Sequence, residues 1–191
     1  MKTPYIWLAG TAAVPLALWM AWGIYVIVTT ARPPYEVVQR LSADVEIRQY
    51  QEQTWISSAD ASDNASFRVL ASYIFGGNAQ EQRVAMTAPV ITDERMSFIL
   101  PEGMSADDAP TPDGHAIDFT TVPPRRLATL QFSWWTSRER VEAKTAALLA
   151  VLQEHGIETR GGAFLMRYND PWTPPFMRRN EVAVEVESSG D

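Results

Sequence analysis

The hydrophobic pattern of the chain divides it into an apolar N-terminal segment and a longer region where apolar and polar positions alternate. No charged residue occurs between Lys2 and Arg32, and the stretch Ile6–Val28 is almost wholly apolar. As a helix rising about 1.5 Å per residue, this stretch would span roughly the 30 Å hydrocarbon core of a bilayer. Residues 1–31 are therefore predicted to form one N-terminal transmembrane anchor, followed by a stiff proline linker at residues 32–34.

A cleaved signal peptide is the alternative interpretation, because Thr29-Thr30-Ala31 resembles a small-residue cleavage site. The apolar stretch is much longer than the roughly 7–15 residues of a signal-peptide core, which favours an uncleaved anchor. Positive charges on the two sides of the stretch are nearly balanced, so the orientation rests on analogy with signal-anchor proteins. The expected product is a single-pass membrane protein whose domain lies on the non-cytoplasmic, periplasmic side.

Residues 35–187 are predicted to form one domain made of two similar halves, each with the order strand, helix, strand, strand. In the first half, a helix from about Asn64 to Phe75 carries one apolar stripe with the spacing i, i+3, i+4 and i+7. The residues of this stripe are Phe67, Leu70, Ala71 and Ile74. Alternating or continuous apolar positions predict the strands of this half at Val45–Ala59, Val84–Ile91 and Met96–Leu100.

The second half repeats this order after a loop rich in Pro, Gly and Asp. Strand structure is predicted within Ala116–Trp135, and Thr136 with Glu139 forms a capping box before a helix that ends near His155. The apolar face of this helix contains Val141, Thr145, Leu148 and Leu152. Closing strands are predicted at Ala163–Tyr168 and Glu181–Val186, and residues 188–191 are predicted to be a disordered tail.

Two amphipathic helices and about eight strands are expected to bury their apolar sides in one core. The predicted fold class is therefore α+β: a distorted eight-stranded antiparallel barrel, or paired sheets, with two flanking helices and the additional N-terminal transmembrane helix. The composition agrees with one folded domain, because 46% of the 191 residues are hydrophobic and 20% are charged.

Charge and cysteine content exclude several functions. The formal net charge of -7 argues against a nucleic-acid partner, which requires a basic surface. The chain has no cysteine, so it has no disulfides, no thiolate metal site and no covalently attached heme. The sequence contains no recognisable catalytic triad, zinc-protease motif or phosphate-binding loop. No catalytic residue is therefore assigned, and the protein is not expected to be an enzyme.

Three segments, in this order, resemble the SOUL heme-binding protein family: YIFGGN at Tyr73–Asn78, AMTAPV at Ala85–Val90, and YNDPWTPPFMRRNEV at Tyr168–Val182. Supporting similarities at Tyr35–Tyr50 and Met96–Pro101 extend the resemblance over most of the domain. The resemblance implies a barrel-like α+β fold, similar also to gyrase-inhibitor-like domains. It further implies non-covalent binding of b-type heme, or of another porphyrin or tetrapyrrole, in a hydrophobic pocket.

The resemblance also implies which residues contact the ligand. Seven match the apolar pocket of the family: Phe67, Leu70, Ala71, Ile74, Met86, Phe98 and Tyr168. Arg178 is the candidate partner of a heme propionate, because a guanidinium pairs with a carboxylate through two parallel hydrogen bonds. The alternatives are that the helical stripe is ordinary core, and that Arg178 holds the proline-rich loop through backbone carbonyls or through Glu181.

No residue is assigned as an axial iron ligand. The two histidines, His115 in a polar loop and His155 at a helix end, are both predicted to be solvated surface residues. Two other functions stay open. A small-molecule hydrolase of the related gyrase-inhibitor-like fold would have a buried glutamate with a strongly raised pKa close to Tyr168. A non-catalytic, membrane-associated binding or scaffold module would have a filled interior without a cavity of several hundred Å³. The sequence assigns no oligomeric state.

Overall fold

A computed structural model describes residues 5–58, 60, 62–114 and 116–187, with side chains from residue 14 onward. The predicted disordered tail and His115 lie outside the described residues. The helices are α1 (Tyr5–Thr29), α2 (Asp63–Ile74) and α3 (Arg138–Glu154), with a 3-10 turn at Pro175–Met177. The strands are β1 (Tyr35–Arg40), β2 (Val45–Tyr50), β3 (Gln53–Ser58), β4 (Val90–Thr92), β5 (Met96–Ile99), β6 (Asp118–Val122), β7 (Arg125–Phe132), β8 (Thr159–Arg167) and β9 (Asn180–Val186).

In the described residues, nine strands form one antiparallel sheet with the order β1-β2-β7-β9-β8-β4-β5-β3-β6. The predicted repeat is present as β3-α2-β4-β5 and β7-α3-β8-β9. The prediction of eight strands in a barrel or in paired sheets was wrong, because the sheet is single and open. The extra strand, β1, is an edge strand whose residues are mostly exposed, so it lacks the apolar alternation that reveals a half-buried strand.

Two predicted strands have different limits in the structure. The segment Val45–Ala59 divides at Gln51 and Glu52 into β2 and β3, which lie in different parts of the sheet. The strand predicted at Val84–Ile91 is reduced to β4, which begins after Pro89, a residue that cannot donate a backbone hydrogen bond to a neighbouring strand.

Helices α2 and α3 pack on one face of the sheet, over different groups of strands. Helix α2 contacts β3 and β5, whereas α3 contacts β7, β8 and β9. Ser62 caps α2 by accepting from the amide of Ala65. Ser137, one residue after the predicted cap Thr136, caps α3 by accepting from the amide of Arg140. Gly76 follows α2 with φ +106°, the left-handed conformation expected of a glycine that ends a helix.

The sheet curves around its other face, called here the inner face. In a flat sheet, β7 and β3 would lie about 24 Å apart, since five steps of roughly 4.8 Å separate them. Yet the guanidinium of Arg125 on β7 lies 4.8 Å from the ring centroid of Trp55 on β3. Apolar residues from six strands also share one cluster on this face. The inner face is therefore concave and largely filled by side chains.

Helix α1 forms where a transmembrane helix was predicted, and its side chains are described from Val14 onward. In the part of the chain that the structure describes, no helix combines the length and apolar character needed to cross a membrane. The predicted transmembrane helix therefore has no support from the structure. The C-terminal part of α1 packs against the domain, because Gly23 lies so close to Pro174 and Met177 that a Cβ atom would approach them to 2.9 and 3.2 Å.

Candidate functional site

A buried charged cluster lies on the inner face of the sheet. Side chains alternate between the two faces of a strand, so Arg48 on β2 and Glu181 on β9 point away from α3, whereas Ile47 and Val182 pack toward it. The Glu181 side chain is fully buried. A buried carboxylate is costly unless charged or hydrogen-bonding partners surround it, so its contacts determine whether this part of the fold is stable.

Glu181 accepts hydrogen bonds from three side chains. Its Oε2 atom lies 2.8 Å from Nη1 of Arg48 and 2.8 Å from the hydroxyl of Tyr168. Its Oε1 atom lies 2.8 Å from Nε and 2.7 Å from Nη2 of Arg179. Arg48 also donates to Glu46 over 2.8 Å, and Arg179 donates to the Tyr35 hydroxyl over 3.3 Å. The two guanidinium groups thus share one fully desolvated carboxylate.

The environment of this cluster raises the pKa of Tyr168 and of both arginines. Burial raises the pKa of Tyr168 well above its usual value, and the nearby charge of Glu181 raises it further. Burial is the largest single influence on Arg48 and Arg179 and would lower their pKa, but the charge of Glu181, the hydrogen bonds to it and the neighbouring tyrosines together outweigh burial and raise both pKa values. At neutral pH the tyrosine is therefore a neutral hydrogen-bond donor and the arginines are cations.

A cavity of about 380 Å³ opens at one end of the inner face. It lies between four chain segments that are distant in sequence. These are Ala31 with the linker, the β2–β3 turn with the start of β3 (Gln51–Thr54), the segment around Ala85 and Thr87, and the segment Ile99–Ser105. Its walls combine apolar residues with polar ones, a composition typical of small-molecule sites, which have volumes of about 300–1,000 Å³.

Backbone hydrogen bonds fix these four segments to one another. The amide of Ala88 donates to the carbonyl of Ala31 over 2.8 Å, which joins the linker to the segment before β4. The amide of Leu100 donates to the carbonyl of Thr54 over 2.8 Å, and the hydroxyl of Thr87 donates to the carbonyl of Ile99. The linker is therefore a wall of the cavity, held in place by the sheet.

Arg32 is the basic residue in this wall. Its guanidinium lies 5.7 Å from the centroid of the Tyr168 ring, within the range of a cation–π contact. Its Nη2 donates to the carbonyl of Ile27 over 3.3 Å, but its Nε is buried and has no hydrogen-bond partner among the described residues. A buried donor without a partner is rare in folded proteins, so Arg32 presents an unused donor beside the cavity.

None of the eight residues predicted to contact a ligand is among the described residues that line this cavity. Leu70, Ile74 and Phe98 are buried in the core beneath α2, and Met86 packs against that core. On the same helix, Phe67 is exposed at 39% and contacts Phe98 edge to face, while Ala71 is half-buried. Tyr168 belongs to the charged cluster.

Arg178 holds the proline-rich loop. Its Nε donates to the carbonyl of Thr173 over 2.8 Å and its Nη2 to the carbonyl of Pro171 over 2.6 Å, while its guanidinium stacks 4.4 Å from the Trp135 ring centroid. Burial lowers the pKa of Arg178. Arg179, not Arg178, pairs with Glu181. The ligand role predicted for the eight residues stays a prediction.

Two features of the site were not predicted from the sequence. These are the residues that line the cavity and the buried pair of Arg48 and Glu181. The polar residues Glu46 and Arg48 alternate with apolar ones in β2, which is the pattern of a strand with one solvated face. The sequence does contain one signal for the pair. Arg48 and Glu181 carry opposite charges, and each lies in a strand in which polar and apolar residues alternate. The linker gave no such signal, because its proline content indicates only stiffness.

The donors around the cavity suit a carboxylate-bearing ligand better than a coordinated metal. Arg32 supplies a cationic donor for a carboxylate, and Met104 supplies a thioether. Neither imidazole nor thiolate is present among the described residues of its lining, and no group of three or more metal-binding side chains occurs among the described residues. A porphyrin with propionate groups therefore fits these residues through its carboxylates and its apolar faces, with only a weak thioether available to iron.

Comparisons with known proteins agree with the fold. The EcmrR C-terminal domain aligns with a TM-score of 0.51 at 13% identity, over 80% of this chain and 98% of that chain. The EcmrR chain of a cryo-EM EcmrR–DNA complex aligns with a TM-score of 0.54 at 12% identity, over 75% of this chain and 57% of that chain. At these identities the likeness shows a shared fold alone.

The sequence comparisons identify the family. No curated protein matches the chain significantly. Residues 30–185 match the family model described as SOUL heme-binding protein, which covers most of the chain and includes the linker, the cavity segments and the charged cluster. The chain therefore belongs to the SOUL heme-binding protein family.

Proposed function

We propose that this protein binds heme or another tetrapyrrole non-covalently in the 380 Å³ cavity, with Arg32 pairing with a carboxylate of the ligand. The observation that carries the proposal is that Arg32 lines the cavity and that its buried Nε lacks a hydrogen-bond partner among the described residues. Membership of the SOUL family supports the class of ligand. When bound, a heme would supply an iron centre; the chain would supply the cation and walls that combine apolar and polar residues.

The energetics favour a ligand held mainly by its apolar faces. Burial of a few hundred Å² of apolar surface contributes several kcal/mol, at about 25 cal/mol per Å². A hydrogen bond to a charged group adds about 1.5–3 kcal/mol when it satisfies a desolvated donor. Since the described lining has no imidazole, iron coordination contributes little, and iron-free porphyrins should bind nearly as well as heme.

Replacement of Arg32 by alanine is expected to weaken binding of protoporphyrin, which has two propionates, by about tenfold, or roughly 1.4 kcal/mol. Binding of octaethylporphyrin, which has no carboxylate, should be almost unchanged. Absorption titrations of the full chain with both porphyrins measure this difference. Arg160→Ala is the matched control, because the Arg160 side chain is 68% exposed on β8 and away from the cavity lining. Equal losses for both porphyrins would show that Arg32 only shapes the wall.

Hemin and iron-free protoporphyrin are expected to bind with affinities within about tenfold of each other, a difference of roughly 1.4 kcal/mol. His155→Ala should leave the Soret maximum unchanged, since His155 is exposed at the end of α3 and its Nδ1 lies 2.8 Å from the carbonyl of Val151. Hemin binding that is more than about a hundredfold tighter would instead require an axial ligand.

The contact between Glu181 and Tyr168 is the specific observation that favours a hydrolase as the second candidate. The fully buried carboxylate and the tyrosine hydroxyl lie 2.8 Å apart, which meets the geometric requirement of that alternative. A catalytic acid or base must also reach its substrate. Neither residue is among the described lining of the cavity, and both oxygen atoms of Glu181 face arginines. Binding therefore accounts for more of the geometry than hydrolysis does.

A further inference from the structure

Four large aromatic side chains are exposed on the proline-rich loop or on the segment packed against it. This aromatic surface consists of Trp134, Trp135, Trp172 and Phe176, whose exposed fractions lie between 46% and 74%. The rings of Trp134 and Phe176 lie 6.4 Å apart, and Arg178 joins the loop to the ring of Trp135. Single exposed apolar residues are common, but contiguous apolar patches mark interaction sites.

The fold holds this surface in a fixed shape. Trp134 has φ +77°, a left-handed conformation that is sterically unfavourable for any residue with a Cβ atom. Its backbone is fixed by the bond from its amide to the carbonyl of Pro175, at 2.8 Å, and by the side chain of Asn180 on its carbonyl, at 3.0 Å. The loop itself is fixed by Asp170, whose carboxylate accepts from the amides of Trp172 and Thr173, each over 2.7 Å. The exposed rings are thus part of a rigid structure and not of a loose loop.

Helix α1 continues the aromatic surface. The indole nitrogen of Trp19 donates to the carbonyl of Trp172 over 2.7 Å, and Gly23 allows the helix to approach Pro174 closely. Beyond this contact the helix exposes further aromatic and aliphatic side chains on several of its sides. These are Val14, Leu16, Leu18, Trp22, Ile24, Tyr25 and Val28. The apolar area is therefore larger than the loop alone.

We propose that the aromatic surface binds the interfacial region of a phospholipid bilayer. Tryptophan prefers this region because its ring is apolar and its N–H group needs a polar partner. Three of the four rings are indoles, and the guanidinium of Arg178, stacked on Trp135, places a positive charge at the rim, where anionic headgroups would lie. Asp170, the acidic residue whose charge acts on Arg178, is occupied by backbone amides. The aromatic surface continues into the exposed apolar side chains of α1. Such an extended apolar area suits a lipid layer better than the groove of a small partner.

The absence of cysteine from the chain allows a direct test, because one introduced cysteine accepts a single label. The full chain carrying Trp172→Cys, labelled with the environment-sensitive nitrobenzoxadiazole group, is reconstituted with vesicles of phosphatidylcholine and phosphatidylglycerol. The emission maximum of the label is expected to shift to shorter wavelength when the vesicles are present. Nitroxides at headgroup level should quench it more strongly than nitroxides near the acyl-chain ends. Phe176→Cys provides the same measurement at a second position if the first variant does not fold.

Phe75→Cys is the matched control, because Phe75 is an exposed aromatic residue at the end of α2 and outside the aromatic surface. Its label should stay in water in the same vesicles. The proposal is overturned if the labels at 172 and 176 remain in water while the chain floats with the vesicles, or if all three positions respond alike. A shift without vesicles that grows with protein concentration would also overturn it, since the surface would then bind a second copy of the chain.

Discussion

Replacement of Glu181 by alanine is expected to unfold the domain or to bring it close to unfolding. The change leaves the guanidinium groups of Arg48 and Arg179 without their shared carboxylate, and it removes the acceptor of the Tyr168 hydroxyl. Breaking a buried ion pair by removing one partner costs about 3–5 kcal/mol. Since domains of this size are stable by about 5–15 kcal/mol, the expected loss is a large part of the total. Urea unfolding monitored by circular dichroism measures it.

Glu185→Ala is the matched control for that experiment. Glu185 lies four residues further along β9, but its side chain is 29% exposed, and its partners Arg125 and Arg160 lie at 3.5 and 3.9 Å. A partly exposed ion pair of this length contributes at most about 1 kcal/mol. Similar losses of unfolding free energy for the two variants would show that the buried cluster does not stabilise the fold in the manner described.

Leu70→Arg is expected to abolish folding as well. The Leu70 side chain is completely buried beneath α2, in a core that also contains Ile56, Tyr73 and Phe98. An arginine at this position would overpack the core and bury an unpaired charge, at a cost of several kcal/mol. Loss of the cooperative unfolding transition and of the native circular dichroism spectrum would record this result.

The matched control is Phe67→Arg, three residues earlier on the same helix, where the side chain is 39% exposed and an arginine can reach water. This variant should fold and should bind porphyrin like the unmodified chain. The opposite result for Leu70→Arg, a folded protein that no longer binds porphyrin, would place the ligand beneath α2, as the family resemblance implied, and would contradict the proposal for the cavity near Arg32.

The two domain helices were predictable because each depends on local spacing. Leu148 and Leu152 are buried on α3, and Leu70 and Ile74 on α2, as their i, i+4 positions indicate. The cap of α3 was predicted one residue too early, at Thr136 and not at Ser137, since neighbouring polar residues can accept the same amide bonds. Whether a sheet closes depends on pairing between strands distant in sequence, and that information is absent from the periodicity of any single strand.

The candidate site was less predictable than the fold. An apolar stripe looks the same whether it lines a pocket or fills a core, so the stripe on α2 predicted ligand contacts at positions such as Leu70 that the structure places in a core. The cavity near Arg32 arises instead from four segments with little regular structure. Similarly, the charge of Arg48 suggested a solvated strand face. The curvature that buries the inner face is a property of the whole sheet, and the sequence of a single strand does not reveal it.

The linker that forms one wall of the cavity determines which fragments of the chain are suitable for ligand measurements. A fragment that begins at Tyr35, the first residue of β1, lacks Ala31, Arg32, Pro33 and Pro34, and so lacks both the cationic donor and one side of the cavity. Such a fragment can retain the complete sheet and both domain helices, and yet offer an incomplete site. If that fragment failed to bind porphyrin, the failure would therefore reflect the choice of its first residue. A fragment that retains Ala31 and the end of α1 is the appropriate material for binding studies.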